Sequence, residues 1–365
     1  MKRFLGSHRN KKNMNLKELL QQTIDINASD LHIISGIPAT VRIDGELVSI
    51  PNSGILTSEL TLNLIKEVLN SEQLERLFVN KEIDFAIPFS DKARFRVNAY
   101  TQKGSLAAAF RRIPLQIPEI AKLSLPPVLH SFASLRQGLV LVTGPTGSGK
   151  STTVSAVIDE INRTRNAHIV TVEDPIEFVF KPIKSIISQR EMRADTHSWQ
   201  VALRSVLRED PDVVFIGEMR DLETIASAMT VAETGHLVFA TLHTNSAAQT
   251  IDRVVDVFPE EQQSQIRLQL SNVIEAVFSQ RLVKAEPKGR TIAYELMLGT
   301  TAIKTAIREG KTHQIESILQ TSQEAGMITL EKSLASLVTE GKITLDTAQS
   351  WSLRPDELTR LVRTS

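Results

Sequence analysis

Four short, nearly unbroken apolar runs mark the middle of the chain: residues 139–142, 168–173, 213–217 and 237–242. Each is followed by polar residues and then by apolar positions at helical spacing. Continuous apolar runs alternating with helices read as strands of a largely parallel sheet covered on both faces. The preceding hundred residues follow another rhythm. Residues 29–50 alternate apolar and polar positions, with turn residues at Gly36-Ile37-Pro38 and Asp44-Gly45, the pattern of hairpins. Residues 57–80 place Leu60, Leu64, Val68, Leu69 and Leu77 on recurring helical faces, and 84–90, 93–102 and 106–113 return to strand alternation. From about residue 260 the pattern is mostly helical: 262–283 and 333–351 both carry helical spacing, with breaks at Gly326, Gly341 and Pro355.

The expected organisation is therefore a basic tail at 1–13, a small α+β domain at 14–112, a linker at 113–127 and an α/β domain with C-terminal helices at 128–365. The linker carries Pro114, Pro118, Pro126 and Pro127, which fix φ and restrict the preceding residues, so it reads as extended and semi-rigid. The tail is basic but lacks the apolar core of a secretory signal, and it reads as disordered.

Composition narrows the function classes. A chain of 365 residues has room for two or three domains, and 41% hydrophobic with 23% charged residues suffices for a buried core. The balanced charge, 42 basic against 42 acidic residues, and only two Trp and two Tyr argue against a general nucleic-acid binder. The absence of cysteine excludes disulfides and thiolate zinc sites and suits a reducing compartment. No apolar run reaches membrane-spanning length.

The chemistry concentrates after the four apolar runs, where an open parallel sheet binds its ligands. Residues 144–151, GPTGSGKS, fit G-x-x-x-x-G-K-[ST] between a strand pattern and a helix pattern. Gly144, Gly147 and Gly149 can adopt backbone angles that turn successive N–H groups toward a triphosphate. Thr146, Gly147, Ser148, Gly149, Lys150, Ser151 and Thr152 would then bind nucleotide at the N-terminus of the following helix. Lys150 suits the outer phosphates, and the Ser151 hydroxyl suits Mg²⁺. Glu218, at the end of the third run, has the placement of a second Mg²⁺ ligand. Glu173, Asp174 and Glu177 crowd after the second run, and Glu177 is the candidate for orienting the lytic water. His243 follows the fourth run and can sense a γ-phosphate. His236, before that run, is left open between site and scaffold. Considered alone, these features also admit bland readings: an acidic surface turn and a structural histidine.

Taken in order, GPTGSGKSTT, TVEDPIEF, REDPDVVFIGEMRDLETI and AETGHLVFATLHTNSAAQTIDRVVDVFP resemble the phosphate loop, Asp box, Walker B and His box of the secretion-superfamily hexameric ATPases. The resemblance is strongest to PilT-type retraction ATPases of type IV pili, and it extends to SDLHIISGIPATVRIDGEL and ARFRVNAY. It implies a PAS-like first domain, a RecA-like P-loop second domain, and ATP-driven domain closure powering retraction and twitching motility. It implies ATP and Mg²⁺ as cofactors and a homohexamer at the cytoplasmic face of the inner membrane. The implied partners are an inner-membrane platform protein and a paralogous retraction ATPase, with no nucleic acid and no membrane contact except through the partner. It gives Arg94, Arg96 and Arg111 a role as phosphate-approaching arginines, where the residues alone suggest an edge strand kept soluble by outward charge. Residues 302–309, AIKTAIRE, resemble the AIRNLIRE element of retraction ATPases and depart from it at Lys304, Thr305 and Ala306. The rival classes are a RecA-like nucleic-acid translocase and a nucleotide-gated scaffold that accompanies a separate motor.

Overall fold

A computed structural model describes residues 15–43, 45–89, 93–113 and 117–364. The basic tail, the turn residue Asp44 and the linker residue Pro114 lie outside the described residues. The chain divides into two compact units, residues 1–116 and 117–365.

The first unit is α+β. Helix α1 (Leu16–Asp25) starts at a capping box in which Asn15 and Glu18 satisfy each other's backbone N–H groups. Strands β1 (Asp30–Ile33), β2 (Thr40–Ile43) and β3 (Glu46–Ser49) follow. The helical stretch expected over 57–80 is two helices, α2 (Ser58–Lys66) and α3 (Ser71–Asn80), because Asn70 and Gln73 form a second capping box inside it. Strands β4 (Glu82–Phe89), β5 (Ala93–Gln102) and β6 (Ser105–Ile113) complete an antiparallel sheet of order β3-β2-β1-β6-β5-β4. Alternation on β5 sends Ala93, Phe95, Val97 and Ala99 into the core with Leu19, Leu64 and Phe110. Arg94 and Arg96 consequently share the other face, where Arg96 is the register partner of Arg111 on β6.

The second unit opens with a segment that packs rather than hangs free: Ile120 and Leu125 are buried against the helix that follows the phosphate loop. Its elements are α4 (Val128–Phe132), β7 (Gly138–Thr143), α5 (Lys150–Thr164), β8 (His168–Glu173), β9 (Ile186–Glu191), α6 (Trp199–Val206) and β10 (Val213–Ile216). There follow α7 (Leu222–Glu233), β11 (Leu237–Leu242), α8 (Ala247–Asp256), α9 (Glu260–Val273), β12 (Ile274–Lys284) and β13 (Arg290–Leu298). The sheet order is β13-β12-β7-β11-β10-β8-β9, parallel except for β13. The four apolar runs are β7, β8, β10 and β11, every residue of β7, β10 and β11 is buried, and separate apolar cores fill the two faces. The architecture is the expected α/β sheet beside a smaller α+β unit.

One expectation fails. Residues 262–283 were to be helical throughout, but α9 stops at Val273 and the chain continues directly as β12. A short apolar run fits a buried strand and a buried helix equally well, so local pattern cannot separate them. Pairing decides: β12 lies between β7 and β13 and gains a hydrogen-bonded ladder on both sides. The more polar β9 is a further strand that apolarity did not mark.

Helices α10 (Thr301–Arg308), α11 (Ile315–Thr321), α12 (Leu330–Thr339), α13 (Leu345–Trp351) and α14 (Pro355–Thr364) finish the chain. Leu358 of α14 is fully buried with Leu330 and Leu334 of α12. Arg354 anchors the start of α14 by ion pairs to Glu316, Glu331 and Glu357. Among the described residues, no helix is long and apolar enough to cross a membrane.

Candidate nucleotide site

The phosphate loop occupies the C-terminal end of β7, near the middle of the sheet. Its glycines are required by what surrounds them. Gly144 has φ +142°, and a Cβ there would come within 2.2 Å of the Gln280 backbone oxygen. Gly149 is the N-cap of α5 at φ +90° and brings no side-chain acceptor to the helix end. The N–H groups of the first turn of α5, which have no intrahelical acceptor, are therefore left to an external anion, and the helix dipole favours one there. Thr146 and Gly147 form the exposed rim of the loop, Ser148 and Lys150 are buried, and Ser151 and Thr152 are half-buried. The cradle thus fits a nucleotide phosphate.

Lys150 Nζ donates to the carbonyls of Gly144 at 2.8 Å and Pro145 at 3.2 Å, and lies 3.4 Å from His243 Nδ1. Burial holds its pKa below the lysine value of 10.5, against the pull of Glu218 and Glu177. His243 Nε2 in turn lies 3.2 Å from Glu218 Oε1. An ammonium only donates, so a singly protonated His243 accepts at Nδ1 and gives its Nε2–H to the carboxylate. Lys150, His243 and Glu218 therefore form one contiguous chain, whose first two members lie 93 residues apart in sequence.

Glu218 is held from both sides of the sheet end. Thr241 Oγ1 donates to the Gly217 carbonyl at 2.6 Å, and Met219 N donates to the Thr241 carbonyl at 3.0 Å, tying the loop after β10 to β11. Arg220 grips the carboxylate with two nitrogens, at 2.7 and 2.8 Å. Burial pushes the Glu218 pKa up, but Arg220, His243 and Lys150 together bring it below the ordinary value. For Mg²⁺, the residues present supply one hydroxyl, Ser151, and one carboxylate, Glu218. That donor set fits a cation which keeps several waters and takes its remaining oxygens from phosphates.

The acidic turn after β8 resolves into three different carboxylates. Asp174 pairs with Arg193 at 3.3 Å. Glu177 is exposed and lies within electrostatic range of Lys150. Glu173 is the buried one. It accepts from Thr171 Oγ1 at 2.7 Å, Glu177 N at 3.3 Å and Gln189 Nε2 at 3.4 Å, yet burial pushes its pKa up to about 7. Among the described residues, no cluster of three or more His, Asp or Glu is arranged around a metal position.

His236 belongs to the scaffold. It precedes β11, at the end of the strand opposite His243, and its Nδ1 lies 3.0 Å from the Val231 carbonyl at the end of α7. In the first unit, Arg111 binds Asp30 at 2.9 Å. Burial raises the Asp30 pKa, and the Ser29 hydroxyl and Arg111 more than reverse it. The facing pair Arg96 and Arg111, with Arg94 on the same face, concentrates like charge where cross-strand repulsion is destabilising. In residues 302–309, Ile303, Ala306 and Ile307 are buried in the core, and Lys304 pairs with Glu275 of β12 at 3.1 Å. Ile303, Ala306 and Ile307 serve packing; Ala302, Arg308 and Glu309 are the exposed positions of that element.

Sequence reasoning missed Arg220, Glu173 as the carboxyl with the raised pKa, and the β12 residues Gln280 and Arg281. Gln280 Nε2 donates to the Ser148 carbonyl at 2.6 Å, and Arg281 Nη2 to the Asn245 carbonyl at 3.0 Å. A polar Ser-Gln-Arg triplet inside an apolar run was the available signal.

Over 343 residues the chain is 46% identical to the type IV pilus retraction ATPase PilT of Pseudomonas aeruginosa, covering 94% of this chain and 99% of that one. A twitching motility protein of Neisseria gonorrhoeae is 47% identical over 310 residues, covering 85% and 83% of the two chains. The crystal structure of a pilus retraction motor PilT with bound ADP superposes with a TM-score of 0.90 at 47% identity, covering 95% of this chain and 99% of that one. The model of the type II/IV secretion system protein family matches residues 8–350, and the chain belongs to that family.

Proposed function

We propose that this chain is a Mg²⁺-dependent ATPase motor that works as a homohexamer to retract type IV pili. The observation that carries the reading is the chain Lys150–His243–Glu218 beside the phosphate loop, in a protein similar along nearly its whole length to pilus retraction ATPases. Bound Mg²⁺ would neutralise charge on the phosphates, with Ser151 and Glu218 as its protein ligands.

The residues divide the remaining work. The loop N–H groups and the N-terminus of α5 hold the phosphates, and Lys150 meets the outer ones. His243 links Lys150 to Glu218, so a change at the γ-phosphate reaches the acidic side of the site. Glu177 orients the attacking water; its exposed position beside the buried Glu173 leaves it accessible to one. Arg94, Arg96 and Arg111 supply positive charge to the phosphates, one or more of them from a neighbouring subunit. The units 14–112 and 128–365 act as separate domains, and motion requires that ATP bind one conformation more tightly than the other. The motor acts on an inner-membrane platform protein from the cytoplasmic side, with a paralogous ATPase as a second partner.

Two measurements test the reading. Purified protein releases phosphate from ATP, without stimulation by nucleic acid and without a steep salt slope. Deletion of the gene leaves surface pili abundant and abolishes twitching. Loss of pili instead would assign the chain to assembly, and no phosphate release would reduce it to a scaffold.

A further inference from the structure

Strand β12 outruns its neighbour. Ser279 is the register partner of Thr143, the last residue of β7, and their hydroxyls lie 2.6 Å apart. One residue further, β7 has turned off into the phosphate loop, whereas β12 continues to Lys284. On the β7 side Gln280 and Arg281 therefore meet loops, while β13 pairs with both on the other side. Ser279, Gln280 and Arg281 are 0%, 0% and 3% exposed, directly after the apolar Ala276, Val277 and Phe278.

Three consecutive buried polar residues are costly in a sheet interior unless each meets a partner. These three meet three different parts of the site. Ser279 bonds the end of β7. Gln280 donates from Nε2 to the Ser148 carbonyl, inside the phosphate loop, and its own backbone oxygen takes the space that a side chain at Gly144 would need. Arg281 donates from Nη2 to the Asn245 carbonyl, two residues beyond His243. The same loop is held from the next strand: Glu295 of β13 accepts from Ala247 N at 2.7 Å. Among the described residues, the buried Gln280 Oε1 and Arg281 Nη1 meet no hydrogen-bond partner. Such atoms are rare in native interiors, whereas the other polar ends of the same side chains are held by the Ser148 and Asn245 carbonyls.

We infer that Gln280 and Arg281 are positioning residues for ATP hydrolysis: Gln280 fixes the curvature of the phosphate loop, and Arg281 fixes the loop that carries His243. Being adjacent on one strand, they hold the two loops at a set spacing. This rests on the reading of the site as an ATPase centre. The two residues have separable consequences. The phosphate loop holds nucleotide in ground and transition states alike, so loosening it acts on binding and KM. The His243 loop serves the γ-phosphate during reaction, so loosening it acts on kcat.

The test compares Gln280→Met, Arg281→Met and Arg281→Lys in the full-length protein, by steady-state ATPase kinetics, titration with a fluorescent ADP analogue and thermal melting. Gln280→Met keeps the side-chain volume and leaves the Ser148 carbonyl unpaired; it raises KM and the ADP Kd on the order of tenfold with kcat little changed. Arg281→Met lowers kcat on the order of tenfold and leaves the ADP Kd in place, and Arg281→Lys, which restores a donor, recovers most of it. General destabilisation cannot produce opposite effects at neighbouring residues. Both variants changing the same parameter, or neither changing one, overturns the inference. If Gln280→Met does not fold, the Arg281 pair decides alone: an altered ADP Kd, or no recovery with lysine, overturns it. Wild-type turnover separates the two levels, because its absence defeats the ATPase reading, whereas turnover without the split defeats only this inference.

Discussion

Glu173 gives the sharpest quantitative prediction. Its carboxyl is almost wholly buried at the end of β8, and burial raises its pKa from 4.5 to about 7 despite three hydrogen bonds to it. In the unfolded chain the group titrates near its ordinary value. Between those limits the native state holds a proton that the unfolded state has released, so stability falls as pH rises. Its contribution is fully present below pH 4.5 and is lost as pH passes about 7. The interval of about 2.5 pH units at 1.36 kcal/mol each gives roughly 3 kcal/mol. The perturbation is Glu173→Gln, which removes the titration. Its absolute stability also reflects a changed hydrogen-bond pattern, so the signal is the pH slope. Both tryptophans, Trp199 and Trp351, lie in the same unit as Glu173, so urea unfolding followed by tryptophan fluorescence reports on that unit. Measured from pH 4.5 to 7.5 without nucleotide, the stability of the wild type relative to the variant declines by about 3 kcal/mol. Parallel curves would show that Glu173 is ionised in the folded protein at pH 5 and that burial does not control it.

The remaining predictions concern turnover. Glu218→Gln retains nucleotide binding but lowers kcat by about a hundredfold or more, since the proposed Mg²⁺ ligand and the charged partner of His243 are lost together; radiolabelled ATP binding beside phosphate release checks both halves. Glu177→Gln binds ATP and turns over slowly, and near-normal turnover would move the water-orienting role to another carboxyl. Gly144→Ala abolishes nucleotide binding in a titration, because the new methyl group meets the Gln280 carbonyl at 2.2 Å. Lys150→Ala and Arg96→Ala are each inactive alone; mixed oligomers that regain activity place the arginine in the neighbouring subunit's site, and silent mixtures place it in its own.

The sequence by itself determined the local parts. Alternating apolar positions marked strands of the first domain, and nearly continuous apolarity marked β7, β8, β10 and β11, because a strand covered on both faces has no polar side. The phosphate loop was legible because its glycines answer a local backbone demand within eight residues. The tertiary structure decided whatever depended on partners distant in sequence. The end of α9 and the start of β12 were set by the ladders to β7 and β13, which no window around residue 274 contains. His236 and His243 flank the same strand, and the direction of β11 puts His243 beside Lys150 and Glu218 and His236 at the end of α7. Glu173 and Glu177 are four positions apart, but the first is buried, which pushes its pKa up to about 7, and the second is exposed. Gln280 acquires its place from strand order: β12 sits beside β7 and continues past its end to Lys284, so a polar side chain in an apolar run lands against the phosphate loop.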